Sequence, residues 1–348
     1  MHPRDECPSI TSVRSRISAV MREEIADSTQ HLVILAIDGL RFDVAAGTWK
    51  DAQIERLRSV FPTTSSTAWL SSVTGLDVSD HGIPGVAYTG PEGDLINVYR
   101  FAGELRPWTD RNIFSDAAAL AWQPIAVLGD LEHLECSWRS LLVAGATALV
   151  GHPFFARPDA TPASIHVRLR EAIAEAMVMP GVPRKMIWCF IDADLHIHRH
   201  GYDRQLSGFL SEIEELALAL ARTGTTVVAY SDHGLVATRN DPELARLLDS
   251  VGSECERPMG GAGRTRWLYP KEGRGEALRL ALEDGLPQDV RLADPDLYFR
   301  PGSPARERVG SVLLIAEGTS FLAEPGCDYE HGSLTDGELY VPFAVWRG

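Results

Sequence analysis

The sequence predicts an α/β fold with a mostly parallel central sheet and helices on both faces, and three observations carry that expectation. Short apolar runs rich in β-branched residues recur along the chain, amphipathic helical patterns lie between them, and several runs stop at an acid beside a turn. In chain order, residues 1–29 read as an amphipathic helical arm packed on the outside. "HLVILAIDG" (31–39) is the first strand, closed by Asp38 and a glycine. "PASIHVRLREAIAEAMVM" (162–179) has apolar residues at helical spacing and leads into a second strand, "KMIWCFIDAD" (185–194). "DRQLSGFLSEIEELALALARTG" (203–224), stopped by a glycine, reads as the crossover helix into a third, "TTVVAYSDHG" (225–234). Residues 236–310, rich in Pro, Gly and Arg, read as a small cap inserted into a core formed by 30–235 and 311–348. "GSVLLIAEG" (310–318) is expected among the last core strands, and "ELYVPFAVW" (338–346), broken by Pro342, at an edge of the sheet.

Composition narrows the function classes. A chain of 348 residues with 45% apolar and 23% charged residues is globular. It has no uninterrupted apolar run long enough to cross a bilayer. The start, "MHPRDECPSI", lacks a basic region followed by an apolar stretch, so the expected compartment is the cytoplasm. Five scattered cysteines without a C-x-x-C argue against a disulfide framework and against a thiolate zinc cage. A net charge of −15 would repel a nucleic-acid backbone, so neither polymeric nucleic acid nor a membrane is an expected partner, and the charge leaves room for a small anion held by metal.

Three strand ends carry residues of metal-binding type. Asp38 follows the first strand. Asp194 and His198, four apart, follow the second, with His196 and His200 interleaved, and Asp232 and His233 follow the third. His331 comes later in "DYEHGS". Each taken alone reads equally well as a turn residue or a satisfied histidine. Together, on the one edge where a parallel sheet holds ligands, they read as a site for zinc or manganese, whereas calcium would ask for oxygen alone. A hydroxyl-rich turn, "FPTTSSTAWLSSVTG" (61–75), starts a helix whose N-terminus favours an anion, although serine and threonine also cap helices for purely structural reasons.

With these motifs in this order, the chain from about residue 30 onward resembles the alkaline phosphatase superfamily, in its nucleotide pyrophosphatase/phosphodiesterase-like branch. The resemblance implies an alkaline phosphatase-like core and phosphoryl transfer with two divalent cations, zinc or alternatively manganese. Asp38, Asp232 and His233 would hold one cation together with the nucleophile, and Asp194, His198 and His331 the other. The family pattern places the nucleophile ten positions before the glycine that ends its helix; with Gly75 in that place, the nucleophile is Ser65, and Thr64 is the runner-up. His196 and His200 then read as outward-facing or supporting groups, and "HGIPG" (81–85) as a structural turn.

The chain also departs from that pattern. "HGIPGVAY" has Val86 where such phosphodiesterases resemble one another in an asparagine that contacts a phosphoryl oxygen, and there is no C-x-P-x-R motif of the sulfatase kind. In the cap, "GAGRTRWLYP" (261–270) places Arg264 and Arg266 either against the polar end of a substrate or in solvent, and Trp267 and Tyr269 against its leaving group. The expected activity is therefore hydrolysis of phosphate esters, diesters ahead of monoesters. A phosphomonoesterase or phosphonate hydrolase of a specialised pathway, and a non-catalytic metalloprotein keeping the fold, are the alternatives.

Overall fold

The computed structural model describes residues 7–26, 31–105 and 111–348. Its centre is a seven-stranded sheet in the order Gln53–Arg58, Tyr340–Trp346, Thr225–Tyr230, His31–Ile37, Lys185–Ile191, Gln123–Val127, Thr147–Leu149. The last five of these pair in parallel, and Tyr340–Trp346 runs antiparallel to both of its neighbours. The three strands whose ends carry metal-type residues are therefore adjacent at the middle of the sheet. Register aligns those ends, with Ile37 opposite Ile191 and Ala36 opposite Tyr230.

Both faces of these strands are covered, which is why they read as near-continuous apolar runs. Alternate side chains separate into two cores. Leu32, Ile34 and Ala36 pack with Val13, Ile17 and Met21 of the Val13–Ala26 helix and with Trp69 of the Ser65–Thr74 helix. Val33, Leu35 and Ile37 pack with Ile165, Leu169, Phe209 and Ile213 of the Pro162–Val178 and Arg204–Ala221 helices. Each such fully buried aliphatic side chain contributes roughly 1.5–3 kcal/mol. The expected outer arm corresponds to the 13–26 helix; residues 1–6 and 27–29 of that expectation lie outside the described residues. Among the described residues, no helix is long and apolar enough to cross a membrane.

A second, antiparallel sheet runs Val290–Ala293, Val312–Ala316, Thr265–Leu268, Gly260–Ala262, Ala87–Thr89, Leu95–Asn97. Two expectations are corrected here. The 310–318 run is not in the central sheet: Leu313 and Ile315 join the first core, and Val312 and Leu314 are covered by Leu244, Leu248, Leu278 and Leu282. A continuous apolar run reports burial on two faces, not the sheet to which it belongs. The strand through Pro342 is not at an edge either, because Gln53–Arg58 lies outside it; Pro342 stands opposite Arg56 and its carbonyl accepts from the Ser231 N–H.

The second sheet is tied to the central one by a buried ion pair. Arg264 Nε lies 3.2 Å from Glu338 Oε1, with both side chains fully buried. The remaining guanidinium donors reach Thr238 Oγ1 at 2.8 Å and the Gly318 carbonyl at 2.6 Å. Glu338 also accepts from the Ser333 N–H, just past His331. Removing one partner leaves the other charge buried and unpaired. Glu338→Gln and Arg264→Met are each expected to lower the unfolding free energy by about 3–5 kcal/mol, read as an earlier midpoint in urea; an unchanged midpoint would refute the brace.

Candidate active site

The site sits at the carboxyl ends of the three central strands. Asp38 and Asp232 are buried, Asp194 partly so, and the geometry brings them into two groups: Asp38, Asp232 and His233, and Asp194, His198 and His331. Within each group one ligand-type atom per residue lies within 4.8 Å of the others. His233 Nε2 lies 3.5 Å from Asp38 Oδ1 and 3.2 Å from Asp232 Oδ2. His198 Nε2 lies 3.0 Å from Asp194 Oδ2, and His331 Nε2 lies 4.0 Å from Asp194 Oδ1. The two groups meet where the rings of His233 and His331 stack, 3.9 Å between centroids.

The loops can come this close because of their backbones. Gly39 has φ +80°, and a Cβ there would lie 3.0 Å from the Asp194 Cα and 2.9 Å from Leu235 Cδ1, so any side chain would push the three strand ends apart. The Gly39 N–H donates to Asp232 Oδ1, and the Leu40 N–H to Ser231 Oγ. The Tyr202 hydroxyl donates to the Gly39 carbonyl at 2.8 Å and accepts from the Leu235 N–H at 2.9 Å, joining the loops that follow the first and third strands. The Trp69 indole donates to Asp38 Oδ2 at 2.9 Å.

All three histidines are oriented in the same way. Nδ1 of His198 faces the Tyr329 carbonyl at 2.7 Å, that of His331 the Thr63 carbonyl at 2.9 Å, and that of His233 the Gly234 carbonyl at 3.3 Å. Donation from Nδ1–H to a carbonyl leaves the Nε2 lone pair free, which is how proteins prepare imidazole for a metal. The electrostatics point the same way. Burial and the charges of Asp232 and Asp194 push Asp38 well above the usual carboxylate range, and burial with Asp194 pushes Asp232 up to about 8. Burial holds His233 down to about 4. Asp194 Oδ1 and Asp232 Oδ2 are buried without a hydrogen-bond partner. Buried carboxylates crowded together, with unpartnered oxygens and with His233 and His331 held neutral by burial, fit divalent cations. Against its own burial, the charge of Asp194 raises His198 to about 10, a proton that a cation in that group would replace. A third grouping, His198 with Cys327 and Glu330, shares His198, whose Nδ1 is already taken by Tyr329.

Ser65 opens the Ser65–Thr74 helix, which Gly75 ends at φ +74°. Its Oγ lies 3.2 Å from Asp38 Oδ1 and 3.1 Å from His233 Nε2. Thr64 differs: its hydroxyl is buried without a partner and does not cap the helix. The first-turn N–H groups are thus left without a side-chain cap beside a partly exposed serine.

The substrate contacts expected in the cap are corrected. Arg264 is the buried brace described above, with its donors spent on Glu338, Thr238 and Gly318. Trp267 is fully buried and donates to the Tyr269 hydroxyl, which in turn bonds the Arg308 carbonyl, so both belong to the core of the second sheet. Arg266, partly buried, gives one nitrogen to the Gly263 and Thr265 carbonyls. His196 bonds Asp203 Oδ1 at 3.0 Å, steadying the start of the next helix. One site residue was not foreseen. Burial with the charges of Asp38 and Asp232 pushes the Tyr99 phenol well above its ordinary range, and its ring packs edge-on against Trp138. A lone tyrosine after a short hairpin carries no sequence signal. Trp69, four positions after Ser65 and so on the same helix face, did carry one.

The sequence model of the type I phosphodiesterase / nucleotide pyrophosphatase family matches residues 32–333. Among solved structures, the chain is similar to murine ectonucleotide pyrophosphatase / phosphodiesterase 5, at 15% identity over 90% of this chain and 87% of that one, with a TM-score of 0.64. An inactive form of that murine protein in complex with AMP gives 16% identity, the same coverage and a TM-score of 0.65. Phosphonoacetate hydrolase from Sinorhizobium meliloti 1021, in complex with phosphonoacetate, gives 17% identity over 92% of this chain and 90% of that one, with a TM-score of 0.66. At these identities the likeness establishes the fold. A comparison with curated proteins gave no match.

Tyr202→Phe removes one buried hydroxyl and two hydrogen bonds, and it is expected to lower stability by about 1–3 kcal/mol. Amide exchange at Leu235 should accelerate in step; exchange at the wild-type rate would show that Tyr202 does not hold the loop.

Proposed function

The chain belongs to the type I phosphodiesterase / nucleotide pyrophosphatase family, in the alkaline phosphatase superfamily, and from that premise we propose that it hydrolyses small phosphate diesters, with Ser65 as the nucleophile. One observation carries the reading: Ser65 Oγ stands between Asp38 and His233 at an uncapped helix N-terminus. Asp38, Asp232 and His233 with Ser65 would hold one divalent cation, and Asp194, His198 and His331 a second, zinc being the proposed ion and manganese the alternative. When bound, such ions supply Lewis acidity that favours the serine alkoxide and offsets charge on phosphoryl oxygens.

The chain's own groups do the rest. Ser65 Oγ forms a bond to phosphorus as the bond to the leaving oxygen breaks, and water then releases the phosphoryl group from Ser65. Asp38 Oδ1 accepts the hydrogen bond of the Ser65 hydroxyl and fixes its rotamer. The helix N-terminus favours the anion before and after reaction. Nδ1–H donation to Thr63, Tyr329 and Gly234 keeps each imidazole in one orientation throughout.

The diester preference rests on charge. A monoester dianion brings about one more negative charge than a diester, and that charge needs a fixed positive partner. The side chains hydrogen-bonded to Ser65 Oγ are Asp38 and His233, neither of them a fixed cation, and Arg264 is committed to Glu338. The net charge of −15 keeps the proposal to small substrates rather than polymeric nucleic acid.

Two experiments test this reading. Protein reconstituted with zinc is expected to hold about two equivalents by elemental analysis, and Asp194→Ala or His198→Ala about one; less than one equivalent in the wild type would refute the ligand sets. On matched nitrophenyl substrates, kcat/KM should be higher for the diester than for the monoester. Ser65→Ala should abolish turnover, and Thr64→Ala should reduce it far less. A monoester or phosphonate preference would remove the diester assignment, and a protein inert towards all three classes would leave a metalloprotein without the chemistry.

A further inference from the structure

Four consecutive residues, Asp328 to His331, each bring one group to the side of the site that holds Asp194 and His198. The Asp328 N–H donates to the His198 carbonyl at 2.8 Å, the Tyr329 carbonyl faces His198 Nδ1 at 2.7 Å, and His331 Nε2 lies 4.0 Å from Asp194 Oδ1. The fourth group is the carboxylate of Glu330, a buried residue outside both ligand sets, whose Oε2 lies 3.8 Å from His198 Nδ1. Backbone contacts fix it there. The Tyr329–Glu330 strand pairs antiparallel with Val236–Ala237, Glu330 opposite Val236. Gly201, at the end of the His198 helix, comes so close that a Cβ on it would lie 2.5 Å from the Tyr329 ring. Among the described residues, His198 is the only basic side chain in ion-pair contact with Glu330, and Arg266 acts on it from farther off.

The two ligand groups differ in charge. Asp38 and Asp232 bring two carboxylates to the first, whereas Asp194 stands alone with two imidazoles in the second. A divalent ion held by one carboxylate and two imidazoles keeps a net positive charge, which is costly away from water unless another negative charge lies close. We propose that Glu330 is a positioning residue for the second cation: from behind the His198 ring its carboxylate supplies the missing negative charge and, by polarising Nδ1–H, makes Nε2 a stronger donor to the ion. At 3.8 Å the carboxylate acts through its charge, while the Tyr329 carbonyl keeps the hydrogen bond that sets the ring orientation. His233 and His331 have no such group behind them, since among the described residues their carboxylate contacts run through Nε2. The one imidazole backed by a carboxylate is thus in the group that is short of negative charge.

This inference rests on the proposed second ligand set, and the test separates the two. Zinc affinities of the full-length protein are measured by competition with a chromogenic chelator. Glu330→Gln, which keeps the shape and removes the charge, is expected to hold about two equivalents at saturating zinc, one of them roughly 10- to 100-fold more weakly than in the wild type. Glu330→Asp, which restores the charge, should recover part of the loss. His198→Ala keeps the first ion, and adding Glu330→Gln to it should leave the affinity for that ion unchanged, because the effect passes through His198; a merely structural role would weaken it there too and overturn the inference. Two equivalents held as tightly in Glu330→Gln as in the wild type would overturn it as well, with the ligand sets left standing. Less than one equivalent in the wild type would overturn the ligand sets and the inference together. Cys327 groups with His198 and Glu330, so a third equivalent lost in Cys327→Ser would make Glu330 a direct ligand and overturn the positioning role.

Discussion

Three carboxylates, Asp38, Asp194 and Asp232, meet at the ends of neighbouring strands, where burial and neighbouring carboxylates push Asp38 and Asp232 up while, against its own burial, the charges of His198 and His331 keep Asp194 ionised. Much of the surrounding structure acts to hold that arrangement together. Like charges at such distances repel, and burial strips away the water that would soften the repulsion. Only a tightly braced backbone keeps the oxygens convergent. The bracing is visible in Gly39, whose missing side chain lets the loops touch, in the Tyr202 hydroxyl that spans two of them, and in the Trp69 indole on Asp38. Unpartnered oxygens remain on Asp194 and Asp232, and they make the arrangement receptive to cations.

The same bracing joins the carboxylates to Ser65, the proposed nucleophile. His331 bonds the Thr63 carbonyl, and the Thr63 hydroxyl accepts from the Gly332 N–H and donates to the Ser333 carbonyl. One threonine, two residues before Ser65, thus locks the histidine loop to the turn that presents the serine. Arg264 and Glu338 continue the chain of contacts into the second sheet, through the Glu338 bond to Ser333. The His331 loop, the turn before Ser65 and the second sheet form one buried polar network, and a displacement of any part reaches Ser65.

The strand-end acids and histidines were legible in the sequence because two periodic signals coincide there: an apolar run that must be a buried strand, and a polar break at its end. Geometry then groups Asp38, Asp232 and His233, and Asp194, His198 and His331, from positions up to 195 residues apart within one group, Asp38 to His233. What was not legible depends on pairing across long stretches of chain. Arg264 looks like a solvated or substrate-facing cation until Glu338 closes on it, and Trp267 and Tyr269 look like cap aromatics until Arg308 supplies a carbonyl. The 312–316 strand has the apolar signature of a central strand because helices cover its far side. Tyr99 is silent for a different reason, since its neighbours in sequence say nothing about Trp138, which orients it.

The strand Tyr340–Trp346 lies inside the central sheet although it follows every other strand of that sheet in the chain. During synthesis, the Thr225–Tyr230 strand is therefore made, and its parallel neighbours can assemble, while one of its edges has nothing to pair with. Gln53–Arg58 waits with no sheet to join until the same late segment arrives. Open strand edges are templates for pairing with other chains, and the Thr225–Tyr230 edge stays open until the last segment arrives. His331 is translated just before that segment, and the Thr63 contact forms only with it. Closing the sheet and bringing His331 to the other strand-end residues are then a single late event, possible only once the C-terminal segment has been released. A chain interrupted before it would present reactive-looking residues to the cell without the means to bring them together.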